Sequence, residues 1–502
     1  MDREEQFKHE RLAKADKLRA MGIDPYGGRF ADVESAVAIR TRAGGLNLSP
    51  GVISEGDRAR AAGRIVLLRD MGKLAFVTVR DGTGEIQIGL SKNAMSEQWD
   101  AVKLLDLGDI IGADGRLGVT KTGELTIWVD RLHVLCKALH PPPEKWHGLT
   151  DVELRYRHRY VDLFSNPPVR DVFRRRSTIV QAVRDYLIGC GYIEVETPAL
   201  QPIYGGAAAK PFVTHHNTLD VDLFLRISPE LYLKRLLVGG LDRVFEVSRN
   251  FRNEGISTRH NPEFTMVELY EAYADYEVMM ERIEGMTALA IERLDGKMRR
   301  TVGDKELDFS TPWARHRYGD LLKKYADVDM DDADGVFQRA KQLGIYRTDK
   351  KNVDLFAQEA AKGSMIDHSV LVNDVFEATV EEHLVQPTIV YDYPAALCPL
   401  TRRSADRSDI ALRFEAYVCG MELGNAYSEL NDPTIQRANL GRGTMAGEQE
   451  TMAVMDEDFL LSLEYGMPPA GGLGVGIDRL VMMLTDQPSI RDVILFPLQR
   501  PR

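Results

Sequence analysis

The sequence predicts an α+β chain, with a small N-terminal β-barrel followed by a larger domain built on an antiparallel β-sheet flanked by helices. Three observations carry this. Short strand-like runs (RIVLL, LAFVTVR, EIQIGL, DIIGADGRL, ELTIWV) crowd into residues 60–137 with turn signals between them. Pro141-Pro142-Pro143 then interrupts the chain with a stiff segment that cannot pair in a central strand. Beyond it, strand-like runs return without the regular strand–helix–strand alternation of a parallel sheet.

The elements follow in order. Glu4 to Met21 is charged and amphipathic and predicts a helix ending near Gly22, within a helical extension over residues 1–55. Five short strands, with a hairpin turn at Asp81-Gly82-Thr83-Gly84, predict a closed barrel of OB type over residues 56–140. Residues 141–170 read as a linker and 171–502 as the second domain. That domain opens with a helix whose apolar stripe is Val172, Ile179, Val183 and Leu187, ending at Gly189 and Gly191. Strands are expected at 193–200, 222–227, 243–248, 264–270, 389–392, 413–419 and 422–430, with a helical insertion over about 295–360. Asp478 to Thr485 predicts a helix with Arg479 in its first turn.

Bulk properties narrow the classes. Hydrophobic content of 44% and charged content of 28% are those of a soluble globular protein, and the chain is long enough to bury a large core without covalent staples. The four cysteines, Cys136, Cys190, Cys398 and Cys419, form no CxxC pair, which fits a reducing cytoplasm and argues against a structural zinc site. The N-terminus is too charged for a signal peptide, and no apolar run is long enough to span a membrane. A net charge of −12 argues against non-specific coating of nucleic acid and suits a site that holds a cation.

The most informative stretch is FRNEGISTRHNPEFTMVELY, Phe251 to Tyr270. It predicts a hairpin whose second strand puts Phe264, Met266, Glu268 and Tyr270 on one face and Thr265, Val267 and Leu269 on the other. Arginines beside a flat aromatic suit a nucleotide, since guanidinium groups clamp phosphates and a ring stacks on a base. The carboxylate face is costly to bury without partners. Glu268 and Glu429 point inward with no matching cation in the sequence pattern, so a cationic substrate would supply one.

Other segments add to this. GGLGVGIDR lacks the GxGxxG spacing of a dinucleotide site and reads as a tight strand-to-helix passage bringing Arg479 to a ligand. In RFEAYVCGMELGNAYSELND a turn near Cys419-Gly420 sets Glu415 and Glu422 across a hairpin, a carboxylate pair suited to magnesium. Strict alternation puts Asn425, Tyr427 and Glu429 on one face and Glu422 on the other, unless a bulge at Gly424 re-aims it. In FLRISPELYLKR, Glu230 falls in the first turn of a helix. Arg174-Arg175-Arg176 reads as a solvated helix face.

FRNEG followed by RHNPEF resembles motif 2 of class II aminoacyl-tRNA synthetases, and FTMVELYEAYADY resembles the lysine-specific members. GYIEVETPAL, with Pro198, resembles motif 1, and GLGVGIDRLVMML, with Arg479, resembles motif 3. The resemblance runs in order from about Lys14 to the C-terminus. It implies a lysyl-tRNA synthetase that uses ATP, takes up to three Mg²⁺ per active site, binds tRNA and forms a homodimer through motif 1. By motif match, Arg252 and Arg479 would be catalytic. Arg252, Glu254, Arg259, His260, Phe264, Glu415, Glu422 and Arg479 would bind ATP, with Glu415 and Glu422 as metal ligands. Gly206, Glu230, Arg252, Glu268, Tyr270, Asn425, Tyr427 and Glu429 would hold lysine.

In the barrel, Arg69, Phe76 and Gln87 would contact the anticodon, although Phe76 reads equally well as barrel core. Two positions depart from the family pattern. Lys210 stands where an arginine precedes PF, and Leu68-Arg69 stands where relatives often have two arginines. The alternatives are a lysine ligase acting on a protein acceptor, an aspartate- or asparagine-specific synthetase of the same subclass, and an inactive RNA-binding paralogue.

Overall fold

The structure is a computed structural model that describes residues 3–143, 149–345, 365–445 and 455–500. The chain divides into two compact units, Met1–Asn166 and Pro167–Arg502.

In the first unit the barrel strands are β1 (Ile53–Asp70), β2 (Leu74–Arg80), β3 (Glu85–Ser91), β4 (Ile110–Val119) and β5 (Leu125–Cys136), closed in the order β1-β2-β3-β5-β4. Alternation builds the interior. Ala75, Val77 and Val79 of β2 and Ile86, Ile88 and Leu90 of β3 all point inward and are buried. A helix over Arg3–Ala20 ends just before Gly22, whose φ of +75° suits a residue without a Cβ. A second helix, Ala36–Gly44, is capped by the Ser35 side chain and carries no strong periodic signal in the sequence. The segment read as linker holds two short helices, Val152–Arg157 and Arg159–Ser165.

The second unit contains β6 (Ile193–Glu194), β7 (Leu200–Gln201), β8 (Val213–His216), β9 (Val221–Leu225), β10 (Arg243–Phe251), β11 (Glu263–Ala272), β12 (Arg299–Val302), β13 (Lys305–Asp308), β14 (Ala314–Arg317), β15 (Thr388–Pro394), β16 (Ile410–Val418), β17 (Met421–Ser428) and β18 (Ala470–Gly476). Eight of these form one sheet, in the order β14-β15-β16-β17-β18-β11-β10-β6. Its six central strands are antiparallel, and a short parallel strand closes each edge. Helices Pro167–Gly189, Tyr276–Leu294 and Ile477–Thr485 cover the apolar face, where Ile179, Val183 and Leu187 meet Val267 and Leu269 in a single core. The α+β expectation therefore holds.

Two segments differ from the sequence reading. The strand expected over 193–200 is two two-residue pieces, because Pro198 cannot donate to a ladder. The segment read as a helical insertion begins with the hairpin β12–β13 and strand β14, and its helices start at Tyr318. Residues 346–360 of that reading lie outside the described residues.

Candidate active site

The polar face of the large sheet floors a cavity of about 350 Å³. Arg252 leaves the end of β10, and Phe264 is the second residue of β11. The loop between them closes when the Arg252 amide donates to the Pro262 carbonyl at 2.8 Å. The Arg252 guanidinium sits 5.1 Å from the centre of the Phe264 ring. Its Nε is buried without a hydrogen-bond partner. Burial lowers its pKa, against the pull of Glu254, Glu268 and Glu422, and a guanidinium stays charged nonetheless.

Arg479 lies in the first turn of helix Ile477–Thr485. Its Nη1 donates to the Glu422 carbonyl at 2.7 Å and lies 3.3 Å from the Glu422 carboxylate, while Nη2 lies 3.3 Å from His260 Nε2. Burial and then the Arg479 charge push the His260 pKa down, so its ring is neutral at pH 7. Arg259 donates to the Gly420 carbonyl at 3.1 Å.

The β16–β17 hairpin turns through Cys419 and Gly420, both with positive φ. Ala416 pairs with Gly424 but Tyr417 pairs with Glu422, leaving Leu423 as an extra residue. This bulge shifts the alternation, so Glu422 joins Asn425 and Tyr427 opposite Tyr417, Glu415 and Arg413. Gly424 is required there, since a Cβ would meet the Gly474 carbonyl of β18. Glu415 accepts from the hydroxyls of Tyr393 (2.9 Å) and Tyr417 (2.5 Å) and pairs with Arg413. Burial works to raise the Glu422 pKa, but Arg479, a 2.8 Å hydrogen bond from Asn425, Arg413 and Arg252 hold it below the usual range. Both carboxylates are hard oxygen donors. Among the described residues no three His, Cys, Asp or Glu side chains form a self-contained metal cage. Such a pair would suit a cation that completes its shell with water and phosphate oxygens.

At the other end of the cavity Gly206 has φ of +82°, and a Cβ there would lie 2.9 Å from that of Glu230, so only glycine allows this approach. Ser228 donates to both oxygens of Glu268 at 3.1 Å, and the Tyr270 hydroxyl stands 3.5 Å away. Burial, and then the neighbouring Glu230, raise the Glu268 pKa to about 8. Burial also drives Tyr270 and Tyr427 upward, so both phenols are neutral. Glu429 stands just beyond the open cavity, its carboxylate lying over Gly472 on the face shared with Tyr270 and Tyr427, where any Cβ would collide with Glu429 and Tyr270.

Here the structure corrects the sequence reading. The inward carboxylates do have a cation, Lys234, which is fully buried. Its ammonium bonds Glu230 at 2.7 Å and lies 2.5 Å from Glu429, whose oxygens are out of line for a hydrogen bond. Burial pushes the Glu429 pKa up; Lys234 opposes this and Glu230 adds to it, and the result is about 8. The signal for Lys234 was the Glu230–Lys234 spacing of four on a helix. A second correction concerns the Arg174-Arg175-Arg176 run, in which Arg174 is exposed as read but Arg175 and Arg176 turn inward. Arg176 pairs with Asp478 at 2.5 Å and donates to Thr265 Oγ1, and Arg175 reaches the Leu484 carbonyl.

In the first unit Phe76 and Gln87 lie on the outer face of the barrel, and Arg69 pairs across from Phe76. The interior residues are Ala75 and Val77 on either side, so Phe76 is not barrel core. Gln87 donates to Thr126 at 2.8 Å.

Residues 151–500 match the family model for class II tRNA synthetases of the D, K and N type, and residues 59–135 match that of the OB-fold nucleic acid binding domain. The chain is 48% identical to a lysine–tRNA ligase of Moorella thermoacetica over 98% of its length and 97% of that protein's. It is 48% identical to one of Pelotomaculum thermopropionicum and 47% identical to one of Carboxydothermus hydrogenoformans, again over 98% of this chain and over 94% and 97% of theirs.

The chain belongs to the class II lysine–tRNA ligases.

Within that family the cavity has two ends of opposite character. Arg252, Arg259, Arg479 and Phe264 offer positive charge and a ring at one, and Glu230, Glu268 and Tyr270 offer carboxyl groups and a phenol at the other, with Lys234 buried against Glu230. No helix among the described residues is long and apolar enough to cross a membrane.

Proposed function

We propose that the cavity activates lysine with ATP, and that the barrel reads the anticodon of the tRNA that receives it. The observation that carries the lysine assignment is three buried carboxylates, of which Glu230 and Glu429 share the single ammonium of Lys234 while Glu268 is held only by neutral donors. Three carboxylates and one cation leave room for a second positive charge, which the lysine side chain brings. Glu268 and Tyr270 then meet the ε-ammonium, with Glu429 beside Tyr270 just beyond the open cavity and Tyr427 against the methylenes. Glu230 takes the α-amino group and Asn425 the carboxylate, beside the open backbone at Gly206.

At the other end Phe264 and Arg479 sandwich the adenine, Glu254 reads its amino group, and Arg259 and His260 hold the outer phosphates. Arg252 touches both substrates. A lysine carboxylate oxygen attacks the α-phosphorus, the new P–O bond forms lysyl-adenylate, and pyrophosphate leaves with the broken bond's electrons. No side chain acts as nucleophile, so alignment and the arginine charges lower the barrier. When bound, magnesium held by Glu415 and Glu422 supplies positive charge to the phosphates. The 3′-terminal hydroxyl of the tRNA then attacks the lysyl carbonyl and AMP departs.

In the barrel, Phe76 stacks on an anticodon base, Gln87 bonds a base edge and Arg69 meets the backbone. A homodimer fits the motif 1 segment, since Ile193 and Leu200 are 52% and 48% exposed and Val213 and Leu219 add apolar surface nearby in sequence. A cytoplasmic location fits the free cysteines. The barrel argues against a protein-acceptor ligase, and Glu230 against aspartate or asparagine as substrate. ATP–pyrophosphate exchange with each of the twenty amino acids tests the reading. Exchange is expected with lysine, and exchange driven by aspartate or asparagine would overturn it.

A further inference from the structure

The outer face of the barrel carries a cross-strand row only partly used above. Phe76 on β2 stands opposite Gly89 on β3, and Gly89 stands opposite Trp128 on β5. Arg69 pairs with Phe76 and Arg116 with Trp128, so the row runs from arginine through two aromatics to arginine. With no side chain on Gly89, the two rings approach edge to face, with centroids 5.9 Å apart and planes at 72°.

Two glycines seat the indole. A Cβ on Gly89 would fall 2.9 Å from Cε3 of Trp128, and one on Gly118 would fall 2.9 Å from Cδ1 and Nε1. The six-membered ring therefore lies over one neighbouring strand and the pyrrole ring over the other, with backbone beneath both. Any larger residue at either position forces the ring to move. Trp128 is half-buried and stands outside the barrel interior, which Ile127 and Val129 fill from the same strand. Its Nε1 is buried with no hydrogen-bond partner, whereas a buried indole N–H ordinarily finds one. The ring is thus placed for its flat surface rather than for its polar handle.

We propose that Trp128 is a second nucleobase platform, taking the face of an unpaired base next to the one stacked on Phe76. This rests on the reading of the barrel as an RNA-binding domain. Planes 72° apart cannot both hold bases that remain stacked on each other. The ligand is therefore a splayed single strand, such as a loop, and not a duplex. Arg69 and Arg116 flank the row where the backbone of such a strand would enter and leave.

The test uses the full chain and a lysine tRNA transcript, with Trp128→Leu, Trp128→Phe and Phe76→Ala. Trp128→Leu is expected to weaken tRNA binding about 5- to 150-fold, with Trp128→Phe retaining most of the affinity. Pyrophosphate exchange without tRNA stays unchanged in all three. Adding tRNA quenches the emission component that Trp128→Phe removes. If Trp128→Leu keeps normal affinity while Phe76→Ala loses it, Trp128 is no platform and the barrel reading stands. If neither variant changes affinity, the barrel reading itself fails. If Trp128→Leu loses affinity only in step with a lower melting temperature, and tRNA leaves the Trp128 emission untouched, the indole is structural only.

Discussion

Lys234 lies 2.5 Å from Glu429, and neither side chain has any exposed surface. This pair changes the basis of the lysine assignment. A pocket with carboxylates and no cation would select a positive ligand by simple neutralisation. Here Lys234 already neutralises one charge, and it is Glu268, 4% exposed and hydrogen-bonded only by neutral groups, that stays without a cationic contact. Selectivity for lysine then rests on the second ammonium that Glu230, Glu268 and Glu429 together accommodate. Lys234 keeps Glu230 and Glu429 in place while the site is empty.

Removing Lys234 leaves the carboxylates with no counter-charge. Lys234→Met is expected to destabilise the catalytic unit by about 3–5 kcal/mol, as loss of one partner of a buried pair does. Glu429→Gln keeps the volume and one polar contact, and it should weaken lysine binding by about 3–5 kcal/mol while leaving ATP affinity near normal. Urea unfolding and separate titrations of the two substrates read these effects. Equal losses for ATP and lysine would mean that Glu429→Gln acts through misfolding.

The same cluster predicts a pH dependence. Glu268 and Glu429 titrate near 8 in the empty site, far above an ordinary carboxylate. Because the folded pKa exceeds the unfolded one, their neutral forms favour the fold at low pH. That contribution falls as pH rises from about 4.5 through 8. A bound ε-ammonium favours the ionised forms, so lysine binding at pH 7 releases protons. Calorimetry in buffers of different ionisation enthalpy should show that release. The lysine-induced rise in melting temperature should grow from pH 6 to pH 8. A shift independent of pH would exclude titration of these carboxylates on binding.

Arg252 combines a half-buried side chain, a buried and unpartnered Nε and a ring 5.1 Å away. Arg252→Ala is expected to lower pyrophosphate exchange by at least about 10²–10³-fold, the cost of losing one preorganised charge contact to the transition state. Circular dichroism should stay unchanged, since the backbone hydrogen bond from Arg252 to Pro262 survives the substitution. A folded variant with near-normal exchange would remove Arg252 from the mechanism.

The sequence made local patterns visible and hid the contacts made across elements. The face of Phe264, Met266, Glu268 and Tyr270 follows from alternation alone, and so does the helical stripe of Ile179, Val183 and Leu187. The bulge beside Gly424 was visible only as a possibility. Whether a glycine relaxes a strand or allows a close approach depends on the neighbouring strand, here Gly474. The Lys234–Glu429 and Arg176–Asp478 pairs were not legible, because their members lie 195 and 302 residues apart in the chain. The strands β12–β14 were read as helix because four-residue strands hold too few alternations to show period two.

Arg176 gives the last prediction. Its Nη1 lies 2.5 Å from Asp478 Oδ1, and the other oxygen of Asp478 accepts the Thr265 amide at 2.7 Å. Asp478 therefore joins the long helix, the start of β11 and the first turn that carries Arg479. Thr265 is next to Phe264, so the two proposed walls of the adenine site, Phe264 and Arg479, are fixed to each other through this carboxylate. Arg176→Ala leaves a 2%-exposed side chain of Asp478 without its cation and should cost about 3–5 kcal/mol of stability. The surviving folded fraction should show a raised KM for ATP with the lysine KM little changed, because Glu230 and Lys234 are not part of this linkage. In the double variant Arg176→Met/Asp478→Asn the uncompensated charge is gone, and most of the lost stability should return. If the double variant is no more stable than Arg176→Ala, the ion pair is not what holds the helix to the sheet.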